Sequence, residues 1–268
     1  MIERAQFQLQ LTGGTSENHH FQGYDGYMSL AGFALTLSLV TNYVETGVIR
    51  HKGDFPGRNS VRAGVLRPGS VIADFAVLLE AVAVGSGVGG ALILSSLVSR
   101  VIARNLGQAH NEKDDAAAEL VKRKRGDFEA LVAAAEPSIR QSHDVIGNGA
   151  EKITIVGGMN IINSYDRQTK NYVRSSKKDD EVLSNDVTVT GFYGNSGHGS
   201  VFDHELGRNV PFWMPKAVLD VVGNVMSWGL DQYANKTGKK VRISYTRILA
   251  MDNREKRYTI LDAAPLLN

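Results

Sequence analysis

The chain has 268 residues, 43% hydrophobic and 22% charged, the proportions of an ordinary globular protein with room for one large domain or two small ones. Its formal net charge of +2 makes no global electrostatic case for nucleic acid, so any basic surface must be local. The absence of cysteine excludes disulfides, thiolate metal sites and cysteine nucleophiles, and fits a reducing compartment.

The first residues, MIERAQFQLQLTGG, carry an early acid and an alternating pattern in place of a basic, then apolar, leader. Phe7, Leu9 and Leu11 alternate with Gln6, Gln8 and Gln10, the period of a half-buried strand ending at Gly13-Gly14. From Tyr24 to Thr46 apolar residues recur near helical spacing, and Gly47 supplies a helix stop. VRAGVL and VIADFAVLL then read as two strands around a turn at Arg67-Pro68-Gly69-Ser70.

Ala81 to Ser99 carries no charge. Asn111 to Arg140 reads as helix, broken or bent near Gly126 and Pro137, and Ile153 to Val156 as a strand ended by Gly157-Gly158. The charge-dense stretch Asp166 to Asn185 reads as an exposed linker or long loop. Beyond it, DVTVTGFYG, GSVFD and NVPFWM read as short strands and Pro215 to Ala234 as a helix, with a final hairpin turning at Asp252-Asn253. The expected fold is therefore α+β in three parts. Residues 1–80 form a strand–helix–hairpin unit, 81–150 a Gly-rich, apolar helical middle, and 151–268 a small barrel-like β domain with one helix, SH3-like or OB-like in rhythm.

Gly85, Gly87 and Gly90 spell G-x-G-x-x-G. A dinucleotide site also needs a second strand and an acid about 20 residues on. Arg104 and Asn105 stand there instead, and only Val101-Ile102-Ala103 follows the glycine-led helix, so no cofactor is expected. The 19 uncharged residues from Ala81 to Ser99 approach the length of a membrane span, but Gly, Ala, Ser and Val make a weakly apolar one. Gly85 and Gly89 also have the small-x-x-x-small spacing of closely approaching helices. Gly85, Gly87, Gly89 and Gly90 are accordingly read as packing or assembly positions, with membrane contact as the alternative.

No nucleophile elbow, P-loop or H-E-x-x-H occurs, and an enzyme is not expected. His19-His20 reads as exposed loop. His198 and His204, with Asp203 and Glu205, are weak metal candidates that the inferred hairpin scatters. Lys122, Arg123, Lys124 and Arg125 cover a full helical turn, the pattern of a solvated segment. Together with Arg167, Lys170, Arg174, Lys177 and Lys178, and with Tyr165 and Tyr172 for stacking, they are the candidate phosphate-contacting surface. Asp179, Asp180 and Glu181 weaken that field.

The segments FQLQLTGG, YDGYMSLAGFALTLSLVTNYVETG and RPGSVIADF, with TVTGFYGNSGHGSVFDHELGRNVPF and RILAMDNREKRYTILD, span about half the chain. They resemble a family of bacterial proteins of prophage and mobile-element settings. The resemblance transfers no catalytic residue and implies a bacterial, anti-phage setting. The expectation is a cytoplasmic, non-enzymatic recognition or assembly protein with a homo-oligomeric state and a protein partner. A conditional membrane-perturbing effector using residues 81–99, membrane-associated when active, and a nucleic-acid-binding module are the alternatives.

Overall fold

The computed structural model describes residues 2–18, 20, 21, 23–50, 60–64, 71–80, 82, 83, 89–109 and 116–266. The turn expected at Arg67 to Ser70, together with His19, Gly85 and Gly87, lies outside the described residues. The chain divides into two compact units, residues 1–174 and 175–268, in place of the expected three. The reason is long-range pairing: the strand that starts the expected third part belongs to the first sheet.

In the first unit β1 (Glu3–Thr12) leads through a short 3-10 turn to α1 (Gly23–Thr46), then β2 (Val61–Ala63) and β3 (Ile72–Leu79). There follow α2 (Gly90–Asn105), α3 (Ala118–Arg123), α4 (Arg125–Ser142), β4 (Lys152–Gly157), β5 (Asn160–Tyr165) and α5 (Arg167–Arg174). The sheet order is β2-β3-β1-β4-β5, with every neighbouring pair antiparallel. β1 is central because both of its edges find partners: Phe7 lies opposite Phe75 on one side and Gly157 on the other. Its alternation is realised as read, with Ala5, Phe7, Leu9 and Leu11 buried, and Gln6 exposed and Gln8 and Gln10 half-buried on the opposite face.

The buried face meets Phe33, Leu37 and Val40 of α1, Leu94, Leu97 and Val98 of α2, and Leu131 and Ile139 of α4 in one core. The Phe33 ring stands edge-on to Phe7 and Phe75, at centroid distances of 6.4 and 5.3 Å. Fully burying each such side chain contributes about 1.5–3 kcal/mol. Among the described residues α1 alone has the length and hydropathy to cross a membrane, and 67% of its apolar window is buried inside the structure. Of the uncharged stretch 81–99, the described residues 82, 83 and 89 lie outside any helix. Among its described residues, helix α2 begins at Gly90 and turns Ile93, Leu94, Leu97 and Val98 into the core.

The long helical reading divides at Lys124, two residues before Gly126, where the backbone leaves helical geometry with φ −120° and ψ 50°. Pro137, in contrast, lies inside a continuous α4. It is on the exposed side of the helix.

The stretch 166–185 is not a loop. Asp166 caps α5, its carboxylate accepting the Thr169 N–H at 2.8 Å while the Thr169 hydroxyl accepts the Asp166 N–H at 2.8 Å. The charges after it line a half-exposed strand and pair sideways. Asp186 accepts two bonds from Arg242, at 2.7 and 2.9 Å, and Asp179 is bound by Arg247.

In the second unit β6 (Lys177–Tyr193), β7 (His198–Asp203), β8 (Arg208–Trp213), α6 (Lys216–Ala234), β9 (Val241–Leu249) and β10 (Glu255–Pro265) form a closed barrel ordered β10-β8-β7-β6-β9. The long first strand pairs with β9 over its first half and β7 over its second, curving at a bulge between Val189 and Gly191. β10 closes the ring by running parallel to β8, Tyr258 opposite Phe212. First strand shared between two sheets, helix between the third and fourth strands, and parallel closure of third on fifth make this the OB arrangement rather than the SH3-like one. Val187, Val189, Val201, Val210, Phe212, Ile243 and Ile260 fill the barrel, and Val222 and Met226 of α6 pack against them.

His143, at the C-cap of α4, is fully buried and stacked on Tyr165 at a centroid distance of 4.0 Å. Its Nδ1 donates to the Ile139 carbonyl at 2.7 Å, which fixes the neutral tautomer with Nε2 facing the Thr169 hydroxyl at 3.1 Å. Burial pushes its pKa down to about 4, with Arg174 and Lys170 acting in the same direction against the Ile139 bond and Asp166. Above about pH 6.5 the ring is neutral in folded and unfolded chains alike, and stability is complete. Between 6.5 and about 4 only the unfolded chain takes up the proton, so stability falls by about 3 kcal/mol as pH falls. Urea unfolding from pH 7.5 to 4 should show this loss and a flatter profile for His143→Gln; equal slopes would refute the assignment.

Candidate functional site: a groove beside an open sheet edge

β5 ends its sheet, with no strand beyond it among the described residues. Its register against β4 places Tyr165 opposite Ile153 and Asn163 opposite Ile155, then slips by a bulge so that Ile161 faces Val156. Tyr165 enters the core, whereas Met159 and Ile161 are 99% and 71% exposed. Sheet edges are normally guarded by charge, proline or a covering element. The segment NIINSY has neither charge nor proline.

α2 runs beside this edge. Leu92, Ser95, Ser96, Ser99 and Ala103 recur at helical spacing along one side of a groove, and the Ser99 hydroxyl donates to the Ile162 carbonyl at 3.1 Å, holding helix to strand. The groove encloses about 1310 Å³, and of its described lining residues only Arg4 is charged. Leu92, 64% exposed, stands on the rim with Met159 and Ile161. Within the lining, the Asn163 side-chain oxygen is buried and has no hydrogen-bond partner. Such an atom costs about 1–3 kcal/mol until a donor reaches it. The chemistry on offer is an unpaired strand edge, an apolar rim and one waiting acceptor.

The residues singled out by sequence lie elsewhere or have other work. Gly90 opens α2, where an added Cβ would stand 2.5 Å from Val82 and 3.3 Å from Leu79. The Glu3 carboxylate accepts the Ala91 N–H at 3.0 Å, and its bonds to the Ala91 and Gly90 backbone hold it below the usual carboxylate range. The helix end that would cradle a pyrophosphate in a dinucleotide site is thus occupied by the protein's own acid. Gly89 caps the same helix.

Lys122, Arg123, Lys124 and Arg125 are exposed around the α3–α4 break, Lys124 lying 3.7 Å from Asp127. Lys170 donates to the carbonyls of Asp144 and Ile146, at 3.2 and 2.6 Å, and Arg174 pairs with Asp144, so both tie α5 to the end of α4. Tyr165 is buried and cannot stack on a base, a correction to the sequence reading. Lys177 and Lys178 begin β6 in the other unit, Lys178 paired with Asp180 at 2.6 Å.

His198 and His204 flank opposite ends of β7, about 20 Å apart at 3.3 Å per residue. Asp203 between them points inward and is consumed by hydrogen bonds. No group of three or more His, Asp or Glu among the described residues is arranged to hold a metal. Sequence reasoning missed Ile161 and Asn163 because Gly157-Gly158 was taken as the end of a strand. The β-branched NIINSY after that turn was the available signal.

Fold and groove together define a two-unit α+β protein, an antiparallel sheet with an open edge followed by an OB-type barrel. Residues 7–174, which include the whole groove except Arg4, Ala5 and Gln6, match the family described as a domain of unknown function, DUF7946, and the chain belongs to that family. No curated protein and no solved structure matches it.

Proposed function

We propose that the chain is a non-catalytic recognition protein that accepts an extended polypeptide segment of a partner along β5. The carrying observation is an uncharged edge with no strand paired to it among the described residues, beside a groove with an apolar rim. In strand addition the main-chain bonds supply affinity and pockets for alternate side chains supply specificity. Here one side chain of the added strand would bring a donor to Asn163, and its neighbours would cover Met159, Ile161 and Leu92. A role in bacterial defence against phage is part of this reading and rests on the sequence resemblance alone.

The test is to pan a random-peptide display library on the intact chain and measure the recovered peptides by calorimetry. Binding is expected to fall at least about tenfold in Ile161→Lys, which adds the charge that natural edges use against pairing. It should be unchanged in Lys122→Gln. Recovery of no peptide, or peptides indifferent to Ile161→Lys, would refute the reading. A native mass of two copies by light scattering, returning to one in Ile161→Lys, would reassign the edge to self-association.

A further inference from the structure

We infer that the outer face of β6, β7 and β8 in the C-terminal barrel is a binding surface for single-stranded nucleic acid. The fold by itself carries no function; the argument rests on which side chains point outward. Along β8, Val210 and Phe212 face the interior, leaving Asn209, Pro211 and Trp213 outside. Along β7, Val201 and Asp203 face inward and His198, Ser200 and Phe202 outward.

The register aligns these residues in rows. Thr188, Phe202 and Asn209 cross the face at one end, with His204 edge-on to Phe202 at a centroid distance of 5.1 Å. Tyr193, His198 and Trp213 form the row at the other end, and Tyr193 is 65% exposed. The two aromatic rows are about 13 Å apart, four residues at 3.3 Å each, a span suited to roughly two or three stacked bases.

Hydrogen-bonding groups stand among the rings. The His198 Nδ1 donates to the Ser196 carbonyl at 3.0 Å, so in the neutral ring Nε2 is left as an acceptor. Thr190 donates to Asn209 Oδ1 at 2.8 Å, fixing that amide in place. No carboxylate faces outward from 187–193, β7 or β8, since Asp203, the one acid in those segments, is 1% exposed. Beside Pro211, on the neighbouring β10, Arg257 is exposed and makes no ion pair among the described residues. Rings for base stacking, neutral polar groups for base edges and a cation at the margin, with Asp186 neutralised by Arg242 and Glu205 confined to the turn after β7, are the chemistry of a single strand rather than of an acidic peptide.

The experiment titrates the intact chain into a fluorescently labelled single-stranded oligonucleotide of about 12 nucleotides, inside the ~4–16 range for barrels of this kind. Anisotropy should report binding that weakens at least about tenfold in Trp213→Ala and in Phe202→Leu. Phe202→Leu keeps apolar bulk while removing the ring, and Trp228 emission verifies that the barrel is folded in both variants. Arg257→Gln should also lower the slope of log affinity against log salt by about 0.7–1. Three results would overturn the inference: no binding to the single strand, loss of binding on neutralising Lys122 to Arg125 with the face variants unaffected, or Trp213 emission that answers a neutral oligosaccharide and not the oligonucleotide.

Discussion

Asp203→Ala is expected to remove about 3–5 kcal/mol from the stability of the C-terminal barrel. The carboxylate is 1% exposed, and one oxygen accepts the Tyr258 hydroxyl at 2.8 Å and the Asn185 amide at 2.9 Å. The other accepts the Glu205 and Leu206 N–H groups at 2.9 Å, closing the turn between β7 and β8. Alanine therefore strands the buried Tyr258 hydroxyl, at about 1–3 kcal/mol, and the half-buried Asn185 amide, and loosens a turn as well. Burial and the bond to Asp203 raise the Tyr258 pKa, so the phenol remains a donor throughout the working range. Tyr258→Phe removes only that donor and should cost about 1–2 kcal/mol. Both tryptophans of the chain, Trp213 and Trp228, lie in this unit, so their fluorescence in a denaturant titration isolates it. A loss below about 1 kcal/mol in Asp203→Ala would show that the network does not hold the barrel.

Gly32→Leu should unfold the N-terminal unit under conditions in which the tryptophan transition is unmoved. Gly32 lies where α1 crosses α4: an added Cβ would stand 2.6 Å from the Ser138 carbonyl oxygen and 2.7 Å from the Ser142 nitrogen. These are backbone atoms within a helix and have nowhere to yield. One turn along, the Thr36 and Ser138 hydroxyls meet at 2.8 Å in the same buried interface. Overpacking of this kind costs about 1–3 kcal/mol for a methyl group and more for leucine. Gly126→Ala is the matched control. It sits exposed in the first turn of α4 with nothing within 4 Å of its Cβ position, and should stabilise by about 0.5–1 kcal/mol. Far-UV circular dichroism against temperature measures both, and a Gly32 variant as stable as the parent would refute the close crossing.

This crossing also answers the glycine question raised by sequence. A close helix approach through small residues does exist, but it is built from Gly32, Thr36, Ser138 and Ser142. The denser glycine stretch marks the entry to α2 at its described end, Gly89 and Gly90. Composition drew attention to residues 85–90 because four of those six residues are glycine. Nothing local distinguishes Gly32, a single glycine in an apolar helix, from one that is merely tolerated.

Where burial has a local period, the sequence determined the element. Phe7, Leu9 and Leu11 fixed β1 and its inward face, and the apolar recurrence from Tyr24 to Thr46 fixed α1. Gly47, at φ 69°, ends that helix with its N–H on the Tyr43 carbonyl. The turn at Asp252-Asn253 fixed the last hairpin, Asn253 taking φ 66°. The tertiary structure alone decided what depends on partners far away in the chain. Pairing of Phe7 with Gly157 drew β4 and β5 into the first unit and left β5 as its edge. Neutralisation of Asp179 and Asp186 by Arg247 and Arg242 turned an apparent charged loop into a strand. Glu3 reached Ala91 across 88 positions to occupy the helix end. Periodicity records whether a residue faces a core, whereas the identity of the group it meets there is set by chain closure, which leaves no trace in neighbouring residues.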